Sequence, residues 1–549
     1  MSNWTEYPQS NRPAAVGVNG MVASAHPLAS MSGLDILKEG GNAFDAVVAT
    51  ASTLNVVEPY MSGVGGIGVA IANVAKENRV RALDFSGRMP NAAEPSIFTD
   101  ETKAGGILAS LIPGNLAGWL ALHEEYGSLD RDRLFARAIN YAENGFPITH
   151  INSILMSQYV HLLQGFPTSK EIILGGSNKS PLPGSRLKMQ QLAESFKIIS
   201  AGGVDAFYRG DLTSRIVKGN NDYGGIFTEE DFASYRPEWR DPISMDYRGF
   251  RVHTTPPNCS SFQVLQTLKL MENLDDLPMK FQDPMGLHFL IEAIKLAAAD
   301  RINYAGDPDY ASVPINALLS QSYAEQQAKR VGRVAVLGPI AGEHYAKDRI
   351  EGVLKPGSPE EFDGGMTTHF SVADRDGNVV TVTQTLGGGF GSGAAVGDTG
   401  IFLNNMAEYF DLDEGSPNQI GPGKRVDFVV APIQVFKGDK FYLSIGTPGS
   451  YGILQTTPQL IMNVLDLEMT VQQSVEAPRL KVIRGRNVQM EERFPPNVRK
   501  FLEGLSHEIE TLGAWSMGVG GAQGIVADQD NGTFQGGADP RRDGFALGW

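Results

Sequence analysis

The residue types best placed to do covalent chemistry meet at Thr367. It follows a run rich in proline, glycine and acid, Pro356-Gly357-Ser358-Pro359-Glu360-Glu361-Phe362-Asp363-Gly364-Gly365-Met366, and opens a β-rich one, Thr367-Thr368-His369-Phe370-Ser371-Val372-Ala373-Asp374. The first composition predicts an exposed, poorly packed connector and the second a strand. A threonine hydroxyl is a weak nucleophile unless a base lies within hydrogen-bond reach, and the α-amine of an N-terminal threonine can be that base. Scission of the Met366–Thr367 bond would create hydroxyl and amine on one residue. Such a reaction also needs amide donors for the developing oxyanion, which glycine-rich backbone supplies. Leu443-Ser444-Ile445-Gly446-Thr447-Pro448-Gly449-Ser450-Tyr451-Gly452 reads as a strand running into a turn of that kind. By type and spacing alone, however, Thr367 is an ordinary strand threonine.

The elements around it must hold it in place. Asp376-Gly377 separates two β-branched runs, the second being Asn378-Val379-Val380-Thr381-Val382-Thr383-Gln384-Thr385-Leu386, and predicts a hairpin. With those two as the turn residues, Thr368 faces Thr385, beside the glycine loop Gly387-Gly388-Gly389-Phe390-Gly391. Apolar residues at helical spacing predict helices over 34–57 and 284–304, and others between 108 and 143 punctuated by Pro113-Gly114 and Gly127. Strand-like segments run up to Phe85 after a glycine-rich turn.

Other chemistries are weaker. Gly63-Val64-Gly65-Gly66-Ile67-Gly68 fits the dinucleotide pattern in letters, but Pro59 precedes it and strand-like Val69–Val74 follows, where a helix is required. There is no P-loop, no paired Cys-x-x-Cys and no G-x-S-x-G elbow. Nine histidines are scattered without ligand spacing, so neither metal nor other cofactor is expected. The single cysteine, Cys259, reads as a spectator thiol. Lys+Arg 46 against Asp+Glu 62 gives a net charge of −16, which argues against nucleic-acid binding. No apolar run is long enough to span a membrane, and Met1–Pro8 lacks the order of a secretory signal. A cytoplasmic location is the expectation.

Several blocks in order resemble the gamma-glutamyltranspeptidase family. They are Gly40-Gly41-Asn42-Ala43-Phe44-Asp45-Ala46, Val57-Glu58-Pro59-Tyr60-Met61-Ser62-Gly63-Val64-Gly65-Gly66, Pro113-Gly114-Asn115-Leu116-Ala117-Gly118 and Ala299-Asp300-Arg301 with Gly306-Asp307-Pro308. Thr367-Thr368-His369-Phe370-Ser371 matches the start of the family's small subunit, and Leu403-Asn404-Asn405, Pro448-Gly449 and Ala538-Asp539-Pro540-Arg541 match later blocks. The resemblance implies an α/β fold of the four-layer αββα N-terminal-nucleophile type. It also implies self-cleavage at Met366–Thr367 into a large subunit, 1–366, and a small one, 367–549, which stay associated; a pair of such heterodimers is one expected assembly. By resemblance Thr367 is nucleophile and, through its amine, base. Thr385 is a second active-site threonine, and Gly449 and Ser450 supply the oxyanion hole.

The glutamyl-binding residues do not carry over. Where the family has D-F-R-E, Asp84-Phe85 is followed by Ser86-Gly87, with Arg88 two places late as the remaining candidate for a carboxylate. The family's Asn after its Thr-Leu is Gly387, its Gln and Asp after Asn-Asn are Met406 and Tyr409, the latter still expected to bind substrate, and its Ser-Ser pair is Phe428-Val429. A site for a zwitterion does not lose such partners cheaply. The lid segment, Asp411 to Lys424, is also short, which favours transfer to water. The expectation is an acylase or amidohydrolase with an acyl-threonine intermediate acting on a non-glutamyl small-molecule amide, as in members specialised for oxamate or cephalosporins. A true gamma-glutamyl transferase or glutathione hydrolase, and a silent scaffold, are the alternatives.

Overall fold

The computed structural model describes residues 10–274, 280–332 and 365–549. Met1–Pro8 and nearly all of the connector before Met366 lie outside them. Two seven-stranded antiparallel sheets form the centre. The first runs Phe545–Gly548, Gly20–Ser24, Met366–Asp374, Val379–Gly387, Ile67–Val74, Arg79–Phe85, Glu238–Arg240. The second runs Ala15–Gly17, Thr533–Ala538, Gln523–Asp528, Lys440–Gly446, Ile433–Lys437, Phe250–Thr254, Ile243–Tyr247.

The sheets stack face to face, and helices cover the outer face of each. Pro27–Lys38, Ala43–Val57 and Asn115–Tyr126 pack on the first; Phe262–Leu274, Ile453–Leu465 and Val471–Glu476 pack on the second. This is the αββα sandwich. Because the central hairpin is sandwiched, Met366–Asp374 and Val379–Gly387 are buried at every position. Alternation of polar and apolar residues therefore marks the two kinds of neighbour, and solvent is not one of them. Phe370, Val372, Val380 and Val382 join the core beneath the helices. Ser371 and Thr381 instead bond Ser444 of the opposite sheet at 2.6 and 2.7 Å. His369 bonds Thr383 Oγ1 at 2.8 Å and lies against Gly446, where an added Cβ would come within 2.3 Å of its ring.

Two sequence expectations are corrected. The helix over 34–57 is two helices, broken at residues 39–42. Gly40 adopts φ +94, and Asn42 caps the second helix in a reciprocal capping box with Asp45. The hairpin register is shifted by one residue. Arg375-Asp376-Gly377 forms a three-residue loop, with Gly377 at φ +89, and the Asp374 carboxylate accepts hydrogen bonds from the amides of Asp376 and Asn378. Thr367, rather than Thr368, therefore stands opposite Thr385. The helix at 284–304 is present as Pro284–Tyr304, and the turn at Gly63–Gly66 leads into the strand Ile67–Val74.

Candidate active site

The hairpin is irregular at one point. Met366 pairs with Gly387 and Thr367 with Thr385, so Leu386 is an extra residue on the second strand. A bulge of this kind re-aims the groups beside it. Here it turns the Met366 carbonyl onto the Thr385 hydroxyl, which donates to it at 2.6 Å, while the Gly387 amide donates to Thr385 Oγ1 at 2.8 Å. Thr367 Oγ1 lies 3.4 Å from Thr385 Oγ1. The Thr367 hydroxyl, the Met366 carbonyl and a donor for that carbonyl's oxygen thus occupy one buried spot.

The turn after Lys440–Gly446 closes over this spot. Gly449 has φ +136 and Ser450 φ +53, a left-handed conformation that a non-glycine residue adopts only where its surroundings enforce it. Among the described residues neither the Gly449 nor the Ser450 amide has an acceptor. The turn is braced from below: Gly521 donates to Thr447 Oγ1 at 3.1 Å, and the Ala522 amide to Asp539. Asp539 pairs in turn with the buried Arg479 and Arg541. The Ala538–Arg541 block is therefore the support of the turn.

Tyr409 hydroxyl and Ser450 Oγ are 3.1 Å apart, and burial pushes the phenol pKa up so that it stays protonated. Gly365 fits between them, since a Cβ there would lie 2.6 Å from both Ser450 Cβ and the Tyr409 hydroxyl. Gly365→Val is accordingly expected to push the Met366 carbonyl off Thr385 and slow any self-cleavage severely. A gel time course on freshly translated protein measures this, and cutting at the wild-type rate would refute the packing described.

Beneath Thr367, Arg542 donates to its carbonyl at 3.3 Å, and Thr368 Oγ1 donates to Glu58 at 3.1 Å. Burial raises the Glu58 pKa to about 7 against the opposing charge of Arg542. Glu58, Thr368 and Arg542 give no signal by type or spacing; the only hint is that they fall in or beside family-like blocks.

Arg88 does not join this centre. Its guanidinium donates to Glu238 at 2.9 Å, to the Gly423 carbonyl at 3.0 Å and to Asp309 at 3.4 Å. It shares Glu238, Asp307 and Asp309 with the buried Arg425. With Met89 N bonded to the Lys424 carbonyl, Arg88 fastens the segment 411–424 to the strand edge. None of these contacts involves Thr367, Thr385, Tyr409 or Ser450.

Known proteins fix what this arrangement belongs to. The model of gamma-glutamyltranspeptidase matches residues 29–549. The chain is a member of the gamma-glutamyltranspeptidase family. A glutathione hydrolase proenzyme of Bacillus subtilis (strain 168) is 35% identical over 558 residues, covering 100% of this chain and 93% of that protein. Acylase ACY 1 proenzyme of Pseudomonas sp. (strain SE83) is 32% identical over 550 residues, covering 98% and 94%. The crystal structure of cephalosporin acylase from Bacillus halodurans matches with a TM-score of 0.88 at 32% identity, over 100% of this chain and 99% of that one. Membership makes this chain an N-terminal-nucleophile hydrolase or acyltransferase of the self-processing kind.

The departures from the family's glutamyl pattern have physical counterparts. Gly387 has φ +100, and a Cβ there would meet Asn405 Oδ1 at 2.2 Å, because Asn405 is turned inward to accept from the Gly388 amide at 2.7 Å. A side chain at 387 would be strained at this φ and would require Asn405 to turn away. Ser86 is buried, its hydroxyl accepting from Asn258 Nδ2 at 3.0 Å. Met406, Tyr409, Phe428 and Val429 are buried in one apolar cluster. Among the described residues no helix is long and apolar enough to cross a membrane.

Proposed function

We propose that the chain cuts itself between Met366 and Thr367 and that the freed Thr367 hydrolyses a non-glutamyl amide. The observation that supports this most is the bulge that sets the Met366 carbonyl on Thr385 beside the Thr367 hydroxyl. In the cut, Thr367 Oγ attacks the Met366 carbonyl carbon and Thr385 donates to the developing oxyanion. The C–N bond then breaks as the Thr367 nitrogen gains a proton, and water hydrolyses the resulting ester, leaving a Met366 carboxylate and a free Thr367.

In turnover the Thr367 amine takes the hydroxyl proton as Oγ attacks the substrate carbonyl. The Gly449 and Ser450 amides hold the oxyanion, the leaving amine departs with the proton, and water releases the acid. Residues 1–366 and 367–549 stay together because the cut lies inside a sheet. Ser371–Asp374 of the smaller piece remain paired with Gly20–Ala23 of the larger one.

The acyl group is read as lacking the glutamyl zwitterion, since Ser86, Gly387, Met406, Tyr409, Phe428 and Val429 carry no charge where paired charges would be needed. A short lid favours transfer to water, and a cytoplasmic site of action is part of this reading. An amide panel read by mass spectrometry tests it. Gamma-glutamyl-p-nitroanilide is expected to be turned over at least about 100-fold less efficiently than the best apolar or small-acid amide, the penalty for two unpaired buried charges. If the glutamyl substrate leads the panel, the apolar reading is wrong.

A further inference from the structure

Away from the reactive threonine, three buried side chains from distant parts of the chain converge. His288 and Glu292 lie one turn apart on the helix Pro284–Tyr304, and His507 immediately precedes the strand Glu508–Leu512. One ligand-type atom from each lies within 4.8 Å of the others.

The tautomers follow from the contacts. His288 Nε2 is 2.9 Å from the Gly332 carbonyl. A carbonyl only accepts, so Nε2 carries the hydrogen and Nδ1 presents a lone pair. That lone pair points at His507 Nε2, 2.8 Å away. An imidazole held by a backbone carbonyl at one nitrogen, with the other turned into a cluster of donors, is the arrangement of metal-ligating histidines. Without an ion His507 Nε2 donates to that lone pair; to ligate, it gives this hydrogen up to Nδ1, which is buried with no hydrogen-bond partner among the described residues.

We propose that His288 Nδ1, His507 Nε2 and a Glu292 carboxylate oxygen bind a zinc-class divalent cation, with water as the fourth ligand. Two imidazoles and one carboxylate are a ligand set for which Zn²⁺ has high affinity. Tetrahedral ligands at about 2.0–2.1 Å from the ion sit about 3.3 Å from one another. The two rings need to part by about half an ångström, and the Glu292 oxygen, within 4.8 Å of both nitrogens, to approach by up to about 1.5 Å. Lys295 opposes the ion: it donates to Glu292 Oε1 at 2.7 Å, and both are buried. Lys295 therefore sets the affinity by competition.

His288 and Glu292 precede Met366 in the chain, and His507 follows it. If the cut proposed above occurs, the ion joins the two pieces; binding itself does not depend on the cut. A histidine pair this far apart in sequence shows no ligand spacing, which is why no metal was expected.

The test uses the purified full chain, stripped with chelator and titrated with Co²⁺, then Zn²⁺. One equivalent of Co²⁺ per chain is expected, with the intense visible absorption of a tetrahedral site, discharged by Zn²⁺. His507→Gln and His288→Gln are expected to weaken binding about 100-fold, and Lys295→Met to tighten it. Amide hydrolysis by His507→Gln is expected to stay at the wild-type rate, because none of these residues touches the reactive centre. The cobalt spectrum of the unmodified protein decides the matter even if a variant misfolds. A wild-type chain that gives no tetrahedral band, or variants that bind as tightly as it does, overturn the proposal.

Discussion

Thr367→Ala is expected to leave one full-length band on a denaturing gel and to abolish amide hydrolysis, a loss of at least about 10⁴-fold. The side chain removed is the group proposed to attack twice, first on its own peptide bond and then on substrate, so both readouts should fail together. Thr367→Ser keeps a hydroxyl on the same strand position and is expected to restore both in part. The strand itself should survive, since Thr367 is held by backbone pairing to Thr385 and by Arg542 at its carbonyl. The cut wild-type enzyme should also gain activity as pH rises through the range of an α-amine, about 7.7–8.0, because only the unprotonated amine accepts the hydroxyl proton. Amino-terminal sequencing of active wild-type material should find a fragment beginning Thr-Thr-His. Active material showing no such fragment would end the account.

What was legible beforehand divides along physical lines. The helix at 284–304 could be read because its apolar spacing is uninterrupted and Asp283-Pro284 marks its start. The helix over 34–57 was read as continuous because periodicity does not register a single left-handed glycine; the break depends on Gly40 and on the Asn42–Asp45 cap. The hairpin was visible in Asp376-Gly377, yet its register was not. The competing three-residue loop is stabilised by the Asp374 carboxylate, a contact of side chain with backbone that no turn dipeptide announces. The position of the nucleophile came from the T-T-H-F-S resemblance and not from spacing. The groups that hold it did not come at all: Glu58 and Arg542 lie at opposite ends of the chain, and only the sheet order brings them under Thr367 and Thr368. Arg88 shows how a charge read from sequence leaves its partners unseen. Its charge suggested a substrate carboxylate, but the acids Glu238 and Asp309 already pair with it.

Thr385→Val is expected to slow self-cleavage by about 10²–10³-fold, the usual consequence of removing one donor to a developing oxyanion. Valine keeps the β-branched shape and the buried volume, so what is lost is the hydrogen bond to the Met366 carbonyl. The same change leaves the Gly387 amide without its acceptor, which costs about 1–3 kcal/mol of stability and should appear as a lower thermal midpoint. The two effects separate by substitution. Thr385→Ser restores the hydroxyl and should recover most of the cutting rate, whereas a threonine that only accepts from Gly387 would lose thermal stability as valine but keep the cutting rate. The comparison is made on chains translated at once and sampled over hours, with the band ratio as readout. If Thr385→Val is processed as fast as the wild type, the bulge at Met366 and Thr367 is only an irregularity of the sheet, and the donor for the scissile carbonyl must be sought elsewhere.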